Sequence, residues 1–329
     1  MALETGLFTC CDTRTDLALE ASERVRARTG REIPGVTVEE IPENGIKTTR
    51  VKITGEEGAA LMGKAMGTYV TIEAPDLRLH SREFSEKVSG VMARELASLA
   101  ALPPDATVLV VGLGNWRATP DALGPRVVEQ VFVSRHLRDL VPPELKGKLR
   151  SLCAIAPGVL GITGIETGEV IRGIVERVQP QVVVVVDSLA ARSLDRIMTT
   201  VQLSNTGIQP GSGVGNRRLA IDQESVGCTV IAVGCPTVVF ASTIAMEALG
   251  EVVDKVPQAA GLRGYLQGLS PAGKDEFLAG VMRPLLGDMV VTPKEIDTLI
   301  EETARVIAGG INAAFHQGIT EEEVARYLR

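Results

Sequence analysis

The stretch QVVVVVDSLAARS runs from Gln181 to Ser193. Five consecutive valines leave no polar face, so a strand here is buried on both sides, as in a parallel sheet covered by helices. Asp187 follows the valines directly. A charged carboxylate is costly to bury, so its place at the tip of the most apolar run needs a reason. In open α/β sheets ligands sit beyond the carboxyl ends of the strands, and Asp187 faces that space. The competing reading is an aspartate that caps the following segment SLAARSLDR.

The flanking sequence repeats the pattern. ATVLVVGLGN (106–115), LCAIAP (152–157) and TVIAVGCP (229–236) read as further buried strands. DALGPRVVEQVFVSRHL (121–137), EVIRGIVERV (169–178) and TVVFASTIAMEALGEVV (237–253) read as helices. Strands alternating with helices imply an α/β fold: a three-layer αβα arrangement around a mostly parallel central sheet, its core at about 106–250. The N-terminal part adds to it. Residues 17–30 form a helix stopped by Gly30, and 35–54 form a β-hairpin turning at Asn44-Gly45. Residues 67–78 give another strand and 82–102 an amphipathic helix. A last helix, 292–315, opens with Thr292 and with Glu295 three residues on, the pattern of a capping box. Residues 1–16 are polar and without periodicity, a loose leader before one domain at 17–329.

Bulk properties exclude several classes. The chain has 329 residues with 34 basic and 41 acidic side chains, a formal charge of −7. An acidic chain without a basic stripe is a poor direct binder of nucleic acid or anionic membrane. Five cysteines in no metal or redox spacing read as reduced thiols. The N-terminus lacks the layout of a secretory signal, and no apolar run reaches the ~20 residues of a membrane span. The expected compartment is cytoplasmic.

A second aspartate shares the geometry of the first. Asp121, in TPDALGP (119–125), belongs to the loop after the 106–115 strand. As a residue at a helix start it complements the dipole, which is its bland reading. In a parallel sheet, however, this loop and the tip of the valine strand open on one edge. Two facing carboxylates cannot both ionise cheaply, so one holds a proton near neutral pH. The ionised member can then take a proton from water while the other donates one, which suits hydrolysis.

The glycine-rich segments supply candidate substrate contacts. They are Gly112, Gly114 and Asn115 in VVGLGN, Gly161 and Gly164 in GVLGITGIETG, and Gly211 and Gly213 in NTGIQPGSGVGNRR. Their backbone amides can line a phosphate site or hold an extended peptide; otherwise they are turns and surface loops. VVGLGN lacks the third glycine of a dinucleotide fingerprint, and no Lys-Ser/Thr follows the other loops as in a P-loop. His80, His136 and His316 are scattered, without a HExxH pair, and no GxSxG elbow occurs. No metal and no cofactor are expected.

Taken together, RTDLALEA (14–21), GKAMGTYVTIEAPDLR (63–78), VVGLGNWRATPDALGP (110–125), PGVLGITGIETGEVI (157–171) and DSLAARSLDRIMTTVQLSNTGIQPGSGVGNRR (187–218) resemble the germination proteases of endospore-forming bacteria. VIAVGCPTVV (230–239) and MVVTPKEIDTLIEETARVIAGGINAA (289–314) continue the resemblance to nearly the whole chain. The strand-loop sections also look like hydrogenase-maturation endopeptidases. The resemblance implies an atypical aspartic endopeptidase whose acids map onto Asp121 and Asp187. Its substrates would be small acid-soluble spore proteins, its compartment the spore core and its assembly a homotetramer. It would be made as a zymogen that cuts itself between Asp16 and Leu17, so that residues 1–16 are a propeptide. The chain departs from the family pattern at Phe240, where an aspartate is usual, at Ser188, where alanine is usual, and in a shorter 251–290 region. Two rival readings remain: a metal-dependent peptidase using the same acids with His136, and a degenerate module that binds peptides without cutting them.

Overall fold

The valine run lies in the middle of a nine-stranded sheet. A computed structural model describes residues 15–79, 81–137, 148–210 and 219–316. In chain order the strands are β1 (Val36–Glu43), β2 (Ile46–Ile53), β3 (Gly67–Glu73), β4 (Thr107–Gly112), β5 (Ser151–Ile155), β6 (Val182–Ala191), β7 (Thr200–Ser204), β8 (Thr229–Phe240) and β9 (Val290–Val291). They lie side by side as β1-β2-β3-β7-β8-β6-β4-β5, with β9 on β8. β5, β4, β6 and β8 pair in parallel, and the other pairings are antiparallel. The α/β class expected from the alternation therefore holds. Its parallel strands lie within the 106–250 core, which also holds the antiparallel β7, and the N-terminal hairpin extends the same sheet in antiparallel fashion.

The helices are α1 (Ala18–Thr29), α2 (Glu56–Met62), α3 (Arg82–Ala100), α4 (Leu123–Gln130), α5 (Leu160–Thr163), α6 (Thr167–Val178), α7 (Gln223–Val226), α8 (Ala241–Lys255), α9 (Ala260–Gly268), α10 (Pro271–Leu286) and α11 (Ile296–Phe315). The valines of β6 divide between two cores. Val182, Val184 and Val186 pack with Met92 and Leu96 of α3, Leu123 of α4 and Ile307 of α11. Val183 and Val185 face Ile171 and Val175 of α6. All five are fully buried, so the uninterrupted apolar run reports a strand covered on both faces. A third core joins α1 and α2 to β2 and β3 through Ala21, Met62, Val51 and Tyr69. No helix among the described residues is long and apolar enough to cross a membrane.

Four boundaries differ from the sequence reading. β6 does not end at Asp187 but continues to Ala191, with an irregularity between Leu189 and Ala190. The 237–253 segment is not helical throughout: its first four residues extend β8 to Phe240, where Val239 and Phe240 pair with β9. β-branched and aromatic side chains favour that outcome. The 121–137 segment forms only α4 between short turns. Phe132 N donates to Asn312 Oδ1 at 2.9 Å and Ser134 N to the Leu152 carbonyl at 2.9 Å, so tertiary partners take the amides a longer helix would use. The capping box at 292–295 does not form. Thr292 donates its hydroxyl to the Thr237 carbonyl at 2.8 Å, and α11 starts at Ile296 without a side-chain cap.

Candidate active site

The site forms where β4 stops and β6 does not. The two strands pair up to Gly112 beside Val186, and Leu113 N makes the last bond, to the Val186 carbonyl at 2.8 Å. The chain then turns away through Gly114 and returns as the Thr119–Asp121 turn and α4. From Asp187 onward the β6 edge is left without β4. Asp16 occupies part of it: its amide donates to the Ala190 carbonyl at 3.1 Å, and the Ala190 amide donates to its carboxylate at 2.9 Å.

Asp121 and Asp187 both line one cavity of about 1010 Å³, together with Asp16, Lys64, Gly114 and Ser188. The shared sheet edge inferred from the sequence is therefore observed. Asn115 N holds Asp121 through its Oδ2 at 2.9 Å and its carbonyl at 3.0 Å. Burial raises the Asp121 carboxyl to about 6, against a smaller opposing effect of the Asn115 amide. Asp187 is 7% exposed. Burial, then the neighbouring charge of Asp121 and more weakly that of Asp16, hold its carboxyl well above the ordinary range, although Ser188 N donates to it at 2.8 Å. Both carboxyls are thus raised, and the charge of Asp121 is one cause of the shift at Asp187.

The Asp16–Leu17 peptide is gripped at several points. Its carbonyl oxygen accepts from Lys64 Nζ at 2.8 Å and from Gln202 Nε2 at 3.2 Å. Gln202 Oε1 accepts from Ala18 N at 2.7 Å, and Leu17 N donates to the Thr15 hydroxyl at 3.0 Å. Leu17 is fully buried. Burial pushes the Lys64 amine below its usual range, and the Asp16 carboxylate opposes that shift. Glu20, 1% exposed, fastens the start of α1. It accepts from Arg192 N at 2.8 Å and Ser193 N at 3.1 Å, accepts from the Thr15 hydroxyl, and pairs with Arg196 at 3.2 Å. The sequence reading missed Lys64, Gln202, Glu20 and Arg196. Only the lysine in GKAMG, unusual between glycines, carried any signal.

The remaining candidates fall at different distances from the cavity. Gly114 lines it, whereas Gly112, Asn115, Gly161 and Gly164 are not among its lining residues. Gly112 has a packing reason instead, since a β-carbon there would stand 2.1 Å from the Gly124 carbonyl oxygen. Gly161 and Gly164 sit on and just after α5, while Gly158, Val159 and Leu160 of the same loop reach the cavity. Gly211 and Gly213 lie outside the described residues, as do His80 and residues 1–14. Phe240 is buried at the end of β8 opposite Val290; it is not itself among the lining residues, whereas Thr237, Val238 and Val290 are. The Ser188 hydroxyl is buried without a hydrogen-bond partner among the described residues. His136, required by the metal reading, is on the Arg135–Leu137 turn and is not in the lining. Among the described residues no three His, Cys, Asp or Glu side chains converge as a metal site.

A family model described as germination protease matches residues 13–260 and 251–328. The chain belongs to the germination protease family. It is thus a peptidase, as its sequence resemblance implied. A germination protease of Caldanaerobacter subterraneus subsp. tengcongensis is 50% identical over 319 residues, covering 96% of this chain and 98% of that one. One from Clostridium perfringens is 47% identical over 322 residues, covering 96% and 99%. The germination protease of Bacillus subtilis is 39% identical over 354 residues, covering 95% and 96%. Among solved structures, the NiFe hydrogenase maturation protease HycI of Thermococcus kodakarensis is similar to half of the chain: 19% identity, 50% and 98% coverage, TM-score 0.27. That score is too low to carry an argument.

Proposed function

We infer that this germination protease hydrolyses peptide bonds with Asp121 and Asp187 as a proton-sharing pair, and that its first substrate is its own Asp16–Leu17 bond. The observation that carries this reading is the cavity itself, in which both acids, with raised pKa values, lie beside Asp16. Asp187, the more deeply buried, holds the proton. Asp121 is ionised above about pH 6 and takes a proton from the attacking water. The water oxygen bonds to the Asp16 carbonyl carbon. The carbon–nitrogen bond then breaks, and Leu17 N receives the proton of Asp187. The products are an Asp16 carboxylate and a Leu17 amine, and no further reagent is consumed.

Residues 1–16 are accordingly a propeptide whose last residue, Asp16, pairs with the free edge of β6, and 17–329 are one catalytic domain. A substrate peptide bound after processing would meet the same Ala190 amide and carbonyl that Asp16 uses. That pairing suits an acidic residue before the cut bond. The reading extends to small acid-soluble spore proteins as substrates, the spore core as compartment and a homotetramer as assembly, on the strength of the family resemblance.

The test is self-processing of the full chain, followed by intact mass. Asp121→Asn and Asp187→Asn should each give a folded chain that keeps residues 1–16, with a rate loss of at least about 100-fold. A variant that processes itself at the normal rate overturns the acid pair.

A further inference from the structure

We propose that Lys64 and Gln202 are the oxyanion donors for the cut between Asp16 and Leu17. The proposal rests on reading that bond as the one processed. A carbonyl oxygen has two lone pairs, and both are engaged here: Lys64 Nζ at 2.8 Å and Gln202 Nε2 at 3.2 Å. When water adds to the carbon, the electron pair of the C=O bond moves onto this oxygen. Donors already in place stabilise that charge without reorganising, most strongly where water is excluded.

Both side chains are built for a fixed position. Lys64 follows α2 directly after Gly63, and its backbone amide donates to the Ala59 carbonyl at 3.1 Å. Among the described residues its ammonium hydrogen-bonds only carbonyls, those of Asp16 and, at 3.5 Å, Thr15. The half-buried ammonium makes its short contact to a carbonyl, and the Asp16 carboxylate favours its charge from nearby. The ammonium gains where negative charge develops on the oxygen it faces. Gln202 sits in β7 between Gly234 of β8 and Thr71 of β3. Its amide spans the bond, with Nε2 on the Asp16 carbonyl and Oε1 on Ala18 N at 2.7 Å. The oxygen of the reacting peptide and the backbone two residues later are therefore fixed by one side chain.

Simple anchoring makes the opposite prediction. If the two residues only tie the leader down, weakening them loosens the segment and leaves the cut as fast or faster. If they hold the oxyanion, loss of either slows it. Lys64→Met keeps the apolar stem and removes the donor, and Lys64→Arg restores a cation. Gln202→Leu removes both amide contacts in a different element, so it decides the matter should Lys64→Met fail to fold. The experiment follows the first-order rate of cleavage between residues 16 and 17 in the full chain by intact mass, with circular dichroism as the folding control. Lys64→Met and Gln202→Leu should each slow the cut about 100-fold, with partial recovery in Lys64→Arg. Folded variants that cut at or above the wild-type rate overturn the proposal while leaving the processing site intact. A wild-type chain that is never cut there fails the processing reading, and this inference with it.

Discussion

Gly114 passes so close to Asp121 that a β-carbon on it would stand 1.9 Å from the Asp121 carbonyl oxygen. Its φ of +119° is also one that side-chain-bearing residues rarely adopt. The loop after β4 can therefore fold back on Asp121, and offer Asn115 N to it, only with glycine at this point. Gly114→Ala should lose about 2–4 kcal/mol of stability, since both clash and backbone strain act. It should also lower self-processing more than its stability loss explains, because Asp121 is displaced. Urea unfolding and processing rates measured on the same preparation check both. A variant with normal kinetics would mean that the loop holds Asp121 with room to spare.

The pH profile of self-processing follows from the two acids. Below about 6 Asp121 is protonated and cannot accept the proton of water. The rate should climb about tenfold from pH 5 to its maximum. It should fall again at higher pH as Asp187, raised well above the ordinary carboxyl range by burial and by the charge of Asp121, gives up the proton that Leu17 N needs. The upper limb belongs to the pair, since the charge of Asp121 is among the causes of the shift at Asp187. In Asp121→Asn the acid limb should vanish from whatever rate remains. A flat profile from pH 5 to 8 is incompatible with the pair.

The same shifts set a cost in stability. The Asp121 carboxyl moves from an ordinary 3.8 to about 6 on folding. Between these values the folded chain binds a proton that the unfolded chain has released, so stability falls as pH rises through the window and stays lower above it. Asp187 acts in the same direction. Asp121→Asn should therefore be more stable than wild type at pH 7 by about 1–2 kcal/mol, after discounting for partial exposure, and equal to it below about pH 4. Urea midpoints at the two pH values test this, and an asparagine variant less stable at pH 7 would count against buried, raised acids.

How far the sequence alone disclosed this arrangement depends on what each signal measures. Val182 to Val186 report burial on two faces, which is a local property of the run, so the parallel core was legible. Asp121 and Asp187 were legible because loops after parallel strands share an edge whatever the loop sequences are. The end of β6 was not: it continues beyond Asp187 because β8 still pairs with it as far as Ala191 beside Val239, a non-local fact. Thr292 and Glu295 had the letters of a capping box, but Thr237 competes for the Thr292 hydroxyl from far along the chain. Lys64 and Gln202 were hidden for the same reason. Each is an ordinary polar residue until the fold sets it on the carbonyl of Asp16.

Arg196 joins three acidic side chains: Glu20 at 3.2 Å, Glu23 at 2.7 Å and Glu73 at 3.1 Å. Glu20 and Glu23 are on α1 and Glu73 ends β3, so the cluster ties the first helix to the sheet edge near the end of β6. Glu20 is almost fully buried, and removing its cation leaves it with the Arg192 and Ser193 amides and the Thr15 hydroxyl. Breaking a buried pair from one side is the costly case, about 3 kcal/mol, whereas removing both charges together is much cheaper. Arg196→Met should therefore destabilise the full chain by about that amount, and Arg196→Met with Glu20→Gln should recover part of the loss. The four charged side chains lie after residue 16, but Thr15, whose hydroxyl donates to Glu20, lies before it, so a cut there removes one of the partners left to Glu20. The Arg196→Met penalty should accordingly be at least as large in the processed chain. A penalty that appears only before the cut would assign the cluster to the leader rather than to the domain.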